Sequence, residues 1–351
     1  MAIIVIEATG CDNGFPVVFE GARRTIKRER EYDGIKDLKI ILVAGRDRLP
    51  SEYLGRKSLE ENLYLEVSET TYKGENWPKP DCSIRKAIKL YKDGYNDEPV
   101  DAVLAPGDTG ATVKCVRNIL GNLKGAKESF SIVTSWPNMN VSSDGGANPD
   151  PKIEDLFFSA IAGNLFAKIC RGVESPLVGL VANGKEMYKG NKLTKAAREC
   201  IYEKLNGVNG YSLLGPTEDD PEQYFFEGNF YMGWGRVGIM DGNSGNIHLK
   251  GCEAAIKYPS RRLIHYIRQK PRLLKILTML LMEGPARKLK EELNYQKYAA
   301  AAPLLGANGI VMIGHGSSDA SAIEDAIYVT RRYIRKDLNT KLEQELKSLG
   351  V

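Results

Sequence analysis

The sequence predicts an α/β protein: a mainly parallel β-sheet flanked by helices. Three observations lead there. Short apolar, β-branched runs recur along the 351 residues, each run meets a glycine-bearing loop, and each loop opens a stretch of helical periodicity. Alternation of this kind is how a parallel sheet covered by helices reads, and such sheets bind ligands at the carboxyl ends of their strands.

Taken in order, residues 2–6 read as a buried first strand rather than a signal peptide, because no basic start and no cleavage site accompany them. Thr9-Gly10-Cys11-Asp12-Asn13-Gly14 then leads to a helix near 17–30, and residues 38–43 form a second strand. Strand 102–104 runs into Ala105-Pro106-Gly107-Asp108-Thr109-Gly110-Ala111 and a helix to about 120. Residues 131–135 and a short run near Val141 precede Asp144-Gly145-Gly146-Ala147-Asn148 and a helix over 153–171. Strand 177–181 leads to Asn183-Gly184-Lys185, after which Lys189-Gly190-Asn191 opens a helix ending near 205. Strand 237–240 leads to Asp241-Gly242-Asn243-Ser244-Gly245-Asn246 and another helix. No fixed-period repeat or low-complexity linker divides the chain, which reads as one two-lobed domain over 1–351.

The last unit carries the most chemistry. An apolar run over 310–313 meets Gly314-His315-Gly316-Ser317-Ser318-Asp319 and an amphipathic helix that Ser318 or Asp319 can cap. A strand-to-helix junction aims backbone N–H groups and a positive helix end at one spot, which suits an anion. Of the three histidines only His315 stands in such a loop, which places a proton-handling group beside that spot.

Composition narrows the classes. A net charge of +4 is small for this length and predicts neither nucleic-acid nor bulk membrane binding. Cys11, Cys82, Cys115, Cys170, Cys200 and Cys252 are scattered without a CxxC pair or a Cys/His cluster. That argues against disulfides and a metal site, and for a cytoplasmic location. Two nucleotide motifs match only as letters. Gly233-Trp234-Gly235-Arg236-Val237-Gly238 precedes a strand instead of following one, and Gly179 to Lys185 lacks the Ser/Thr that must follow the lysine.

Residues 260–294 read as a basic, leucine-rich helical hairpin inserted in the domain. Between Lys257 and Lys290 the cations Arg261, Arg262, Arg268, Lys270, Arg272, Lys275, Arg287 and Lys288 face a single acid, Glu283. Pro271 can start a helix through Leu273, Leu277 and Leu281, and Gly284-Pro285 can turn it into a second helix over 286–293. The run is shorter than the roughly 18–20 residues that span a bilayer. Burying five of its large side chains at roughly 1.5–3 kcal/mol each gives on the order of 10 kcal/mol, enough for dimerisation or peripheral membrane contact.

Together these loops resemble the PlsX phosphate acyltransferase family over almost the whole chain. The opening match is Ala302-Pro303-Leu304-Leu305-Gly306-Ala307-Asn308-Gly309 continuing through Gly314-His315-Gly316-Ser317-Ser318-Asp319-Ala320. Asp241-Gly242-x-x-Gly245-Asn246, Gly107-x-Thr109-Gly110-Ala111, Gly146-Ala147-Asn148, Lys189-Gly190-Asn191 and Gly10-x-Asp12-Asn13 follow the family's order and spacing. The resemblance implies a three-layer sandwich like isocitrate and isopropylmalate dehydrogenases, without their coenzyme, and usually a homodimer. It implies acyl transfer from acyl carrier protein to inorganic phosphate, giving acyl phosphate for phospholipid synthesis, with no cofactor, metal or nucleic acid. His315, Lys189 and Asp241 are then the catalytic candidates, with His315 protonating the leaving thiolate. Gly107, Asp108, Thr109, Gly110, Asn148, Asn191, Asn246, Ser317 and Ser318 become the phosphate and substrate candidates. Arg272, Leu273, Leu277, Leu281 and Arg287 mark the membrane or partner hairpin.

Departures from the pattern keep two other readings open. Asp108 stands where the family has Asn. A carboxylate about 4 Å from phosphate costs on the order of 4 kcal/mol at an effective dielectric of about 20, so it must point away, pair with a cation or stay protonated. Glu7 replaces Asp, Cys11 replaces Gly, and Ala182-Asn183-Gly184-Lys185, Asn243-Ser244 and Ala299-Ala300-Ala301 also differ from the family. The alternatives are an acetyl-phosphate-forming subunit of a glycine, sarcosine or betaine reductase, with Cys11, Cys82 or Cys115 carrying chemistry, and a catalytically silent paralogue that binds acyl carrier protein or membrane.

Overall fold

Alternation within the first strands decides the layering. β1 (Ala2–Glu7) and β2 (Leu38–Gly45) are apolar at nearly every position. Side chains alternate across a strand, so Ile4, Ile6, Ile40 and Leu42 join one core while Ile3, Val5, Ile41 and Val43 join another. A strand buried on both faces is what a parallel sheet between two helix layers requires.

The computed structural model describes residues 1–29, 38–72, 81–136, 138–292 and 300–351. The remaining strands are β3 (Ser58–Glu60), β4 (Leu63–Ser68), β5 (Ala102–Ala105), β6 (Ser131–Ser135), β7 (Val141–Ser143), β8 (Leu177–Leu180), β9 (Ser212–Leu213), β10 (Arg236–Ile239), β11 (Ala301–Leu305) and β12 (Val311–Gly314). They form a 12-stranded sheet in the order β3-β4-β2-β1-β5-β12-β11-β6-β7-β10-β8-β9. Two parallel blocks, β4-β2-β1-β5-β12 and β7-β10-β8-β9, are joined through β11 and β6, which pair antiparallel to each other and to the flanking strands β12 and β7. The blocks therefore run in opposite directions. Because the joining strands are short and staggered, the C-terminal ends of both blocks converge over β6 and β11.

Helices α1 (Gly14–Arg28), α2 (Ser83–Asp93), α3 (Thr109–Ile119), α4 (Ile153–Phe166), α5 (Lys192–Leu205), α8 (Ala320–Ile334) and α9 (Leu338–Ser348) cover the sheet. α1 packs on α8, α9 on α4 and α4 on α5, while α2 packs on α3 and on β1, β2 and β5. The mainly parallel α/β expectation holds. β3, β4, β9, β11, α2 and α9 had not been expected. β4 and α2 follow a stretch rich in charges and turn residues, where periodicity is faint.

The hairpin differs from its expected form. α6 (Gly242–Arg268) and α7 (Arg272–Glu292) are long consecutive helices whose turn lies at Gln269 to Pro271. Gly284-Pro285 does not turn the chain. Pro285 sits inside α7, as Pro259 sits inside α6. An interior proline removes one helical hydrogen bond and strains the preceding turn, which a long helix on a solvent-facing arm tolerates. Leu293 and Ala299 lie outside the described residues. Among the described residues no helix is long and apolar enough to cross a membrane.

α1 crosses α8 at Gly21, where an added Cβ would lie 2.7 Å from the Ala320 carbonyl oxygen and equally close to Ile323. Gly21→Ala gains about 1 kcal/mol of helix propensity but overpacks a helix crossing, which costs about 1–3 kcal/mol. We expect the urea midpoint of Gly21→Ala to fall. A rise would mean that α1 and α8 are not in close contact.

Candidate active site

The convergence of strand ends builds a cavity of about 220 Å³. Gly107 and Thr109 after β5 and Gly314, His315 and Gly316 after β12 form one wall. Gly145 after β7 and Asn246 and Lys250 on α6 form the other, and Ile132, Thr134, Ala302 and Ile313 are the floor. Three loops and the first turns of α6, drawn from both parallel blocks, thus meet at one place.

Small residues allow the first wall to close. An added Cβ on Gly107 would sit 3.2 Å from the Gly10 Cα, and one on Gly314 would sit 3.0 Å from Pro106. Glu7, buried at the end of β1, accepts the N–H groups of Thr9 (3.1 Å) and Gly10 (2.9 Å) and so shapes that turn. Burial raises its carboxyl above the ordinary value, against the pull of these hydrogen bonds. The turn is tied to the histidine loop: the Asp12 N–H donates to the Gly316 carbonyl at 2.8 Å, and the Asn13 Nδ2 to that of Ser318 at 2.8 Å.

Asp108 resolves the conflict that its charge posed. Its carboxylate turns back to accept the Ala111 N–H at 2.7 Å as the cap of α3. Helix geometry leaves the N–H groups of Thr109 and Gly110 without intrahelical acceptors, beside the wall that Gly107 and Thr109 form. Asp108 therefore caps α3, and the donors that this turn offers are its backbone N–H groups rather than the carboxylate. Asp319 caps α8 in the same way, accepting the Ala322 N–H at 2.8 Å. Ser318 is buried and its hydroxyl donates to the His315 carbonyl at 2.7 Å, so it holds the loop's shape; Ser317 is exposed.

The second wall depends on Asp144, which is 3 % exposed. Its carboxylate accepts the N–H groups of Ile132 (2.8 Å), Gly146 (3.0 Å), Ala147 (3.0 Å) and Asn148 (2.7 Å). Burial nevertheless pushes it up to about 6. Against this turn, α6 begins at van der Waals limits: an added Cβ would lie 1.8 Å from the Asp144 carbonyl oxygen at Gly245 and 2.5 Å from that of Asn148 at Gly242. The Asp-Gly-x-x-Gly-Asn motif is thus a cap, two close-approach glycines and Asn246, which packs beside Gly146 at the cavity edge. Asn148 contributes its backbone, its carbonyl accepting the Gly242 N–H at 2.9 Å.

The structure does not gather all of the expected residues. Asp241, Asn191, Asn183 and His248 line a separate cavity of about 530 Å³. There Asp241 caps α6 through Ser244, and Asn191 caps α5 through the Thr194 N–H at 2.8 Å. Lys189 lines neither cavity; its stem packs on Gly184 and its ammonium stands 5.2 Å from the centre of the Tyr188 ring. The lysine that lines the cavity between the β5 and β12 turns and α6 is Lys250, which sequence reasoning did not single out. Its signal is its i+4 spacing from Asn246, which puts both on one helix face. Cys11, Cys82 and Cys115 are buried and burial raises all three thiols, that of Cys115 to about 12, which disfavours the thiolate that cysteine chemistry needs.

Asp144 makes stability depend on pH with a definite sign. A carboxyl raised to about 6 in the folded state binds its proton more tightly than in the unfolded chain. It therefore favours folding below pH about 4, and that contribution is lost as pH rises to about 6. The advantage of the native protein over Asp144→Asn, which cannot accept from all four N–H groups, should narrow by about 1–3 kcal/mol between pH 4 and 7. Urea unfolding across that range measures it. A pH-independent difference would mean that Asp144 titrates as an ordinary carboxylate.

Comparison with known proteins identifies the family and the fold. The family model described as fatty acid synthesis protein matches residues 2–341. The chain is 32% identical to a phosphate acyltransferase of Campylobacter jejuni, over 99% of this chain and 98% of the relative. It is 30% identical to the phosphate acyltransferase of Nitratiruptor, over 99% of both chains. Among solved structures, a phosphotransacetylase from Streptococcus pyogenes shares the fold with a TM-score of 0.54 at 16% identity, covering 96% of this chain and 94% of its own. A branched-chain phosphotransacylase from Enterococcus faecalis shares it with a TM-score of 0.51 at 11% identity, covering 95% and 99%. The chain therefore belongs to the fatty acid synthesis protein family, the PlsX phosphate acyltransferases that its loop motifs resemble.

Proposed function

We propose that this acyltransferase moves a long-chain acyl group from acyl carrier protein to inorganic phosphate, supplying acyl phosphate for phospholipid synthesis. The observation that carries the reading is the one cavity in which the Gly107–Thr109 turn, His315, Asn246 and Lys250 meet, taken with the family membership. Phosphate binds at the N–H groups of Thr109 and Gly110 with Lys250 and Asn246 opposite. An oxygen of hydrogen phosphate attacks the thioester carbonyl, the C–S bond breaks, and the proton lost by phosphate passes to the sulfur through His315. Acyl phosphate and carrier thiol are the products, so no covalent enzyme intermediate is needed. N–H donors aimed at a developing oxyanion are worth roughly 2.7–4 kcal/mol each in comparable sites.

The hairpin supports a second element of the proposal, contact with a lipid surface or a second copy of the chain. Leu273 is 82% exposed, Leu281 71% and Leu280 64%, beside the exposed cations Arg272 and Arg287. Contiguous exposed apolar side chains of this extent mark an interaction surface.

Purified protein incubated with phosphate and palmitoyl-carrier protein should give acyl phosphate, trapped as the hydroxamate, whereas an acetyl thioester should give none. Product from acetyl alone would support the reductase-subunit reading, and product from neither a binding role. His315→Ala should lower kcat on the order of 100-fold. Lys250→Ala should raise the phosphate KM about tenfold, and Lys189→Ala should do so far less. Equal effects of the two lysines would remove Lys250 from the site. Leu277→Glu with Leu281→Glu should abolish liposome flotation or dimerisation; a variant unchanged in both would sink the hairpin proposal.

A further inference from the structure

Alternate residues of β6, Ile132 and Thr134, face the cavity at the strand ends. Ile132, Ala302 and Ile313 make its floor apolar, and Thr134 is the one polar side chain there. Thr134 is 4 % exposed, and its hydroxyl makes no hydrogen bond among the described residues. It is not one of the unpartnered hydroxyls sealed from solvent, so the surface it keeps opens into the cavity. Buried hydroxyls are as a rule hydrogen-bonded, and this one has only the cavity to turn to. Gly145 leaves the room for that: a Cβ added there would lie 3.1 Å from the Thr134 Oγ1. The donor is also held still. A β-branched side chain has few rotamers, and pairing of Thr134 with Ser142 on β7 fixes the backbone beneath it. No acid is among the described residues that line the cavity, so nothing there competes for the donor as a charged acceptor.

Resting on the acyl-transfer reading above, we propose that Thr134 is a catalytic residue whose hydroxyl donates to the thioester carbonyl oxygen as that oxygen gains charge. As a phosphate oxygen bonds to the carbonyl carbon, the C=O π pair moves onto oxygen, where the Thr134 O–H meets it. The pair returns as the C–S bond breaks, and the sulfur takes the proton through His315. Thr134 itself neither gains nor loses a proton. Phosphate has the Thr109 and Gly110 N–H groups, Lys250 and Asn246, which leaves the carbonyl oxygen to the floor. A fixed donor among apolar side chains favours the charged oxyanion over the neutral carbonyl, so its effect falls on the chemical step.

Steady-state kinetics of the full-length protein with phosphate and palmitoyl-carrier protein test the assignment. Thr134→Val removes the hydroxyl and keeps the branched shape. Its kcat should fall on the order of 100-fold, with the phosphate KM changed less than about twofold. Thr134→Ser keeps the donor and should recover at least about a tenth of the native kcat, which a purely structural role for the side chain would not predict. A Thr134→Val protein with native kcat, a loss seen only as a raised phosphate KM, or an equal loss in Thr134→Ser would overturn the assignment and leave the acyl-transfer reading standing. If the native protein makes no acyl phosphate, that reading fails and the role of Thr134 fails with it.

Discussion

Everything at the centre of this protein depends on the buried carboxylate of Asp144. Four backbone N–H groups converge on it, three from its own turn and one from Ile132 on the neighbouring strand. The turn after β7 is thereby locked to β6, the strand that floors the candidate site. With the turn held, α6 can start against it with only glycines at the contact, and Asn246 and Lys250 reach the cavity edge. Loss of that acceptor would leave buried N–H groups unpaired and move the wall that α6 supplies.

Glu7 plays the corresponding part in the other parallel block, where it holds the turn after β1. Both acids lie beneath the loops rather than in the cavity lining, both are raised by burial, and both turn their oxygens to backbone N–H groups instead of the cavity. Asp108 is disposed of differently. It remains at the helix end, where a carboxylate suits the dipole, and spends its acceptor on Ala111. An Asn at this position could make the same cap, so the start of α3 does not depend on the charge.

Much of the fold was legible because parallel strands buried on both faces are written as uninterrupted apolar runs. The antiparallel joint was harder. β11 is an Ala-Ala-Pro-Leu-Leu stretch whose pairing depends on partners far away in sequence. The hairpin's turn was misplaced because Gly284-Pro285 is a strong local breaker that an exposed helix nevertheless absorbs. At the site, the loop motifs located both walls but not the division of labour within them. Lys189 belongs to a recognisable motif, yet its loop points it onto Tyr188, while Lys250 belongs to no motif and reaches the cavity through helical spacing. Asp144, visible only as one letter of a glycine-rich turn, gave no sign that four amides would depend on it.

The central claim is that phosphate binds where the β5 and β12 turns face α6. A crystal structure of the protein with phosphate and a non-hydrolysable acyl thioester analogue tests it most directly. The account predicts phosphate density within hydrogen-bond distance of the Thr109 and Gly110 N–H groups, with the thioester sulfur beside His315. Phosphate seated instead in the cavity lined by Asn183, Asn191 and Asp241 would contradict it.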